Sequence, residues 1–191
     1  MTPLVIRMRD ASFISQGETV VPPQSLDVAA GSHVAQLCPT ARQAHGLALL
    51  AAGLVKASQG SVLIGEYDPR VQPVHCRRIA AYVPHDPMPV APSDFERYVD
   101  YRAALWNIDS AHARAHAHLL LERLDGMHEA FAYPIVGALL GSPQVLVLDR
   151  PQLPYAVQIL AAAGLSAVFS THIDERAVDA YAAAPRAQVL V

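Results

Sequence analysis

An apolar strand, Val34–Leu37, runs through a short break into a helix of small apolar residues, Ala44–Ala52, closed by Gly53. A strand, a tight loop and a helix N-terminus in that order are a setting for phosphate chemistry, because backbone N–H groups and the helix dipole favour an anion there. The loop pattern that performs it is G-x-x-x-x-G-K-[ST]: glycines for close approach, a lysine for the phosphate oxygens, a hydroxyl for Mg²⁺. This chain has Cys38 at the first glycine, Gln43 at the second, Ala44 at the lysine and His45 at the hydroxyl. What remains is a reduced anion site, with Arg42 and His45 as its cations and Pro39, Thr40 and Gly46 as its other loop positions. A guanidinium one or two positions away does not replace the lysine's point charge.

Other reactive side chains carry less. His112 and His116 share a helix face and His118 follows two residues on. A zinc site needs a third ligand of suitable kind, and neither H-E-x-x-H nor a cysteine partner accompanies them, so a solvated face is the expectation. Cys38 and Cys76 form no C-x-x-C and read as small buried residues. Asp174 and Glu175 read as first-turn acids of a helix.

The elements that must position these residues alternate. Leu4–Arg9 reads as an edge strand, continued by Ser25–Val28 after a turn at Pro22-Pro23. Gly60–Gly65 and Ile79–Val83 are further strands, and His85–Pro92 is a proline-rich linker. Ser93 or Asp94 caps a helix through Trp106, and Asp109 or Ser110 caps another with Ala111–Leu124 as its body. These helices form an insert, residues 86–130, within one domain. Val136–Leu140 is apolar; Val145–Asp149 and Ala167–His172 are continuous aliphatic runs with polar tips, the mark of buried parallel strands. Val157–Ala163 and Asp174–Ala184 are helices, and Gln188–Val191 is a last strand. Alternation of this kind predicts an α/β fold: a mostly parallel sheet flanked by helices, with an N-terminal antiparallel β part and a small helical insert.

The totals narrow the function. A chain of 191 residues with a net charge of −3 gives no electrostatic support to nucleic-acid binding. No apolar run reaches membrane-spanning length, and the N-terminus lacks a signal-peptide layout. Two cysteines make no disulfide framework, which places the chain in a reducing cytoplasm.

The order of the pieces resembles the nucleotide-binding subunit of ATP-binding cassette (ABC) transporters, whose domain is P-loop NTPase-like. Gly53–Gly60 followed by Gly60–Gly65 resembles the family's segment after the phosphate-loop helix, and Ala81-Tyr82-Val83-Pro84-His85 resembles its Q-loop. Ala138–Pro143 with Val145-Leu146-Val147-Leu148-Asp149-Arg150-Pro151 looks like "ALLGxPxxLLLDEP", and Ser170-Thr171-His172 with Asp174-Glu175 looks like the switch-histidine segment. The spacing and the helical insert resemble multidrug-type exporters.

That resemblance implies ATP and Mg²⁺ as ligands, a transmembrane subunit as partner and a homo- or heterodimer of nucleotide-binding subunits. It also marks departures. His85 stands for the Q-loop glutamine and Arg150 for the glutamate that polarises attacking water; Ser15, with Phe13 nearby, stands about where an adenine-stacking aromatic belongs. The signature loop is not legible between Leu124 and Ala138, and Gln152-Leu153-Pro154 leaves no D-loop. His85, Asp149, Arg150 and His172 are therefore read as relics of catalytic positions. Asp149 either holds Mg²⁺ through water or caps strand-edge N–H groups and pairs with Arg150 or Arg186. His172 either senses a γ-phosphate or is a structurally satisfied histidine. The expectation is a non-catalytic or regulatory component of a membrane transport complex, cytoplasmic at the inner face of the membrane. The alternatives are a divergent, active ATPase and an interaction protein that binds no nucleotide. Docking onto the membrane subunit is expected at residues 85–106, through Tyr98, Tyr101, Leu105 and Trp106.

Overall fold

The structure is a computed structural model that describes residues 2–152, 159, 162–164, 166–182 and 187–190. Strands β1 (Leu4–Ser15) and β2 (Glu18–Ala29) form an antiparallel hairpin. Its two-residue turn has positive φ at both Gln16 (53°) and Gly17 (80°), the primed geometry whose twist matches the flanking strands. β4 (Gln59–Ile64) pairs with the other side of β1, giving the order β2-β1-β4. The Leu4–Arg9 segment is thus central in its sheet, not at an edge. Pro22 and Pro23 lie within β2 and make no chain reversal. They stand between the pairs Phe13↔Val21 and Ala11↔Gln24, at an irregularity of an edge strand, where a missing N–H costs no ladder bond.

The second sheet has five parallel strands in the order β5-β6-β7-β3-β8: β3 (His33–Leu37), β5 (Ala80–Val83), β6 (Val145–Asp149), β7 (Ala167–His172) and β8 (Ala187–Leu190). Every residue of β6 and β7 is buried, because both faces are covered. Leu146, Leu148 and Val168 enter a cluster with the helical layer, and Val145, Val147 and Phe169 enter one with α1 (Ala41–Ala51) and the antiparallel sheet. The α/β class with its antiparallel β part is as the alternation predicts.

Helix boundaries differ where local chemistry was overlooked. α1 starts at Ala41, ahead of the expected Ala44, since the Thr40 side chain caps it by accepting from the Gln43 N–H. Gly53, at φ 67°, ends it as expected. α2 (Pro73–Ile79) was not anticipated; proline in its first turn and Arg77 and Arg78 in its last are its signals, and it absorbs Ile79 from the expected strand. A 3₁₀ turn, Pro92–Asp94, leads into α3 (Phe95–Trp106), with Asp94 at the cap position but making no side-chain bond there. Asp109 caps α4 (Ser110–Arg123) by accepting from His112 N–H at 2.9 Å. α5 (Glu129–Leu139) carries Pro134 in its interior, which hid it, and its buried Ala132, Ile135 and Val136 pack with α3 and α4. The expected Val157–Ala163 helix lies mostly outside the described residues; Ile159, Ala162 and Ala163 are helical. The last helix, α6, runs Glu175–Ala182, and residues 183–186 and 191 of the expected last elements lie outside the described ones. Among the described residues, no helix is long and apolar enough to cross a membrane.

Candidate functional site: the Asp149 centre

Asp149 ends β6 at the carboxyl edge of the parallel sheet, flanked by β5 and β7. Its side chain is 1% exposed. Four contacts from three residues converge on it. Arg150 Nε donates to Oδ1 at 2.7 Å and Nη2 approaches Oδ2 at 3.4 Å. His45 Nδ1 lies 2.7 Å from Oδ2, and the Tyr82 hydroxyl donates to the same oxygen at 3.2 Å. Burial pushes the Asp149 carboxyl up, but Arg150 and His45 together outweigh it and hold the group below the usual carboxylate range. An ionised carboxylate only accepts, so the His45 Nδ1 carries the proton. Burial, then the Asp149 charge, pushes the Tyr82 phenol up, so Tyr82 stays a donor.

The sequence explains how each partner arrives. Arg150 has φ 46°, a left-handed conformation that costs an L-residue about 1–2 kcal/mol. That turn folds the guanidinium back onto the preceding carboxylate, and a charge-assisted hydrogen bond offsets the cost. Meanwhile the Arg150 N–H donates to Thr171 O at 3.0 Å, and its carbonyl accepts from His85 Nδ1 at 2.8 Å. His45 comes from α1, and Tyr82 from β5, the strand beside β6.

The remaining loop positions turn inward on the protein itself. Arg42 pairs with Glu18 at the start of β2. The Cys38 N–H donates to His172 O at 2.7 Å, and the Gln43 and Ala44 N–H groups donate to the Thr40 hydroxyl and carbonyl. Pro39 has no N–H to offer. Gly46 is buried, and a Cβ there would press on Val20, Val21 and Phe13, so its glycine serves the packing of α1 on the antiparallel sheet. Burial, then the Asp149 charge, pushes the Cys38 thiol up to about 11. His172 is buried with Nε2 2.8 Å from Ser170 Oγ, and burial pushes its pKa down to about 4, so it is a neutral imidazole.

Of the two arginines the sequence offers, Arg150 pairs with Asp149, and Arg186 lies outside the described residues. The meeting of His45 and Asp149 was missed. A signal for it exists: residues at the positions of a metal's hydroxyl and carboxylate ligands must face each other. Tyr82 has no role in the sequence reading beyond its strand and the Q-loop-like segment. His118 binds Glu96 at 2.9 Å, and no group of three metal-ligating side chains occurs among the described residues. Of the expected docking residues, Tyr101 and Leu105 are exposed, whereas Tyr98 covers Gly137 and Trp106 covers Gly141.

No family model matches the chain. Two curated proteins, both named sulfate/thiosulfate import ATP-binding protein CysA, from Xylella fastidiosa strains 9a5c and Temecula1, are 28% identical over 180 residues, covering 81% of this chain and 52% of each relative. The chain therefore spans about half the length of the curated relatives it matches. A solved ATP-binding subunit of an ABC transporter superposes with a TM-score of 0.71 at 22% identity, over 92% of this chain and 82% of that one. The proteins that this chain resembles in sequence and in fold are ABC transporter ATP-binding proteins. CbiO1 of Clostridium perfringens, from the ABC transporter complex CbiONQ, gives a TM-score of 0.68 at 17% identity, covering 89% of this chain and 79% of its own. A bacterial Atm1-family ABC exporter with ATP bound gives 0.66 at 17% identity, covering 99% of this chain and 38% of its own. Import and export proteins are both represented among these similar proteins.

The resemblance to ABC ATP-binding proteins implies Mg²⁺ and ATP, and the donor set here does not suit them. The carboxylate that would reach a metal's water shell is buried and accepts from three side chains already. The position of the hydroxyl ligand holds an imidazole, and the loop carries no lysine.

Proposed function

We propose that this chain is a non-catalytic or regulatory ATP-binding-subunit homologue of a membrane transport complex. One observation carries the reading: Asp149 is engaged by His45, Arg150 and Tyr82, all from its own chain. Hydrolysis of ATP needs a cation to neutralise developing phosphate charge and a group to orient water. Arg150 brings a positive charge to the position of the water-orienting glutamate, and Arg42 is directed to Glu18. The proposed site positions, Pro39, Thr40, Arg42, His45 and Gly46, then serve helix capping, ion pairing and packing.

The partner that kinship supplies is a transmembrane subunit, at the cytoplasmic face of the membrane. The proposed contact is residues 85–106 of the helical insert and Q-loop region, beside a groove of about 340 Å³ lined by Pro87–Val90, α3 and Pro134 of α5. Exposed Met88, Tyr101 and Leu105 lie on the segment and helix that border it. The inward use of the Cys38, Gln43 and Ala44 N–H groups favours a second reading, an interaction protein that binds no nucleotide.

Calorimetry with MgATP and with ADP, beside an ATPase assay, separates these. Nucleotide binding without turnover supports a regulatory subunit, and no binding at millimolar nucleotide supports the interaction protein. Turnover at transporter rates that Asp149→Asn abolishes would refute both.

A further inference from the structure

In this fold a strand-end carboxylate, the loop at the start of α1 and the segment after β5 surround the place where phosphates and a cation would sit. In this chain they are joined to one another directly. His45 joins α1 to β6, Tyr82 joins β5 to β6, and Arg150 joins Asp149 to β7 through its N–H and to His85 through its carbonyl. A guanidinium, an imidazole and a phenol meet one carboxylate, so positive charge is supplied from within the chain by Arg150. Three donor contacts fall on Oδ2 and one on Oδ1.

We propose that the Asp149 centre is a metal-independent joint, in which His45 and Arg150 take the place of a divalent cation and fix α1, β5, β6, β7 and the His85 segment in one arrangement. Three features of the geometry support it. Asp149 is 1% exposed, so a hydrated ion has no approach to its oxygens. Arg150 is only 20% exposed and is held by a left-handed backbone, which a residue with no structural task would not keep. His85 is tied to a backbone carbonyl of the same centre, so the segment leading toward the helical layer is anchored without nucleotide. The inference deepens the proposed function and rests on the same carboxylate, but its test involves no nucleotide.

The test is Mn²⁺ binding by electron paramagnetic resonance, with thermal unfolding in EDTA and in 10 mM MgCl₂ (a concentration on the order of that used to saturate weak sites). The wild-type chain is expected to bind no Mn²⁺ at Asp149 and to melt at the same temperature in both buffers. His45→Ser with Arg150→Gln removes both partners and is expected to lower the melting temperature by roughly 6 °C or more in EDTA. Adding Mn²⁺ to that variant is expected to restore part of the loss. If the double variant does not fold, His45→Ser alone gives the same readout with a smaller loss.

Mn²⁺ binding to the wild type that Asp149→Asn removes would overturn the joint. So would a His45→Ser variant as stable as wild type. ATP turnover at transporter rates with no Mn²⁺ site at Asp149 would overturn the proposed function and leave the joint standing.

Discussion

Acidification from pH 7 to pH 4 is expected to destabilise this protein chiefly through His172. The imidazole is 1% exposed, lies against Ser170 and has its pKa pushed down to about 4 by burial, from 6.5 in the unfolded chain. Between those values the unfolded state binds a proton that the native state does not. Stability therefore rises with pH, is full above about 6.5, and is lost as pH falls toward about 4. At about 1.36 kcal/mol for each tenfold difference in proton affinity, the loss across that window is about 3 kcal/mol. That is a large share of the 5–15 kcal/mol typical of a folded domain, so roughly a third of total stability is at stake. Urea denaturation at half-unit pH steps measures it, with the slope m held constant. His172→Gln keeps a neutral polar group against Ser170 and is expected to flatten the curve between pH 6.5 and 4. His116, also pushed down by burial, leaves a smaller slope of the same sign in the variant. A wild-type loss below about 1 kcal/mol, or an unchanged slope in His172→Gln, refutes the reasoning.

Arg150→Ala leaves a buried carboxylate short of its main cation and is expected to cost about 3 kcal/mol in urea denaturation. Arg150→Gly loses the same pair but relieves the positive φ, so it is expected to be milder by about 1 kcal/mol; equal losses would sink the strain argument. Gly46→Ala is expected to lose about 1–3 kcal/mol by pressing on Val20, and Val20→Ala in the same chain to return part of it. Cys38, with its thiol pushed up to about 11, is expected to react with a disulfide reagent at pH 8 at least about 100-fold more slowly than a free cysteine, and at the ordinary rate in urea. Native reactivity near the unfolded rate would contradict its burial.

Residues whose surroundings are local were the legible ones. The aliphatic runs of β6 and β7 announce burial on both faces, because no polar residue interrupts them before the tip. Gly53 and Asp109 declare helix ends by residue type alone. α5 was missed because Pro134 and a run of apolar residues on all sides blur the helical period, and only packing against α3 and α4 restores it. The proline pair of β2 was misread as a turn because the alternative, an irregular edge strand, depends on which strand lies beside it. Within the site, Asp149, Arg150, His172 and His45 were each singled out from the sequence. Their joining was not, since residues 45 and 149 meet only through the parallel order of the sheet. Tyr82 stands in the Q-loop-like segment of the sequence, but it enters the centre only because β5 neighbours β6.

The parallel sheet is a party wall. Val145 and Val147 face one cluster, Leu146 and Leu148 the other, so each strand belongs to two buildings. Melting the helical layer would strip one face of the same strands that hold α1 and the antiparallel sheet on the opposite side. The helices are therefore not an appendage that opens while the rest stands. Protection of amides in α5 and in β1 is expected to be lost together in hydrogen exchange, because both layers rest on the same strands.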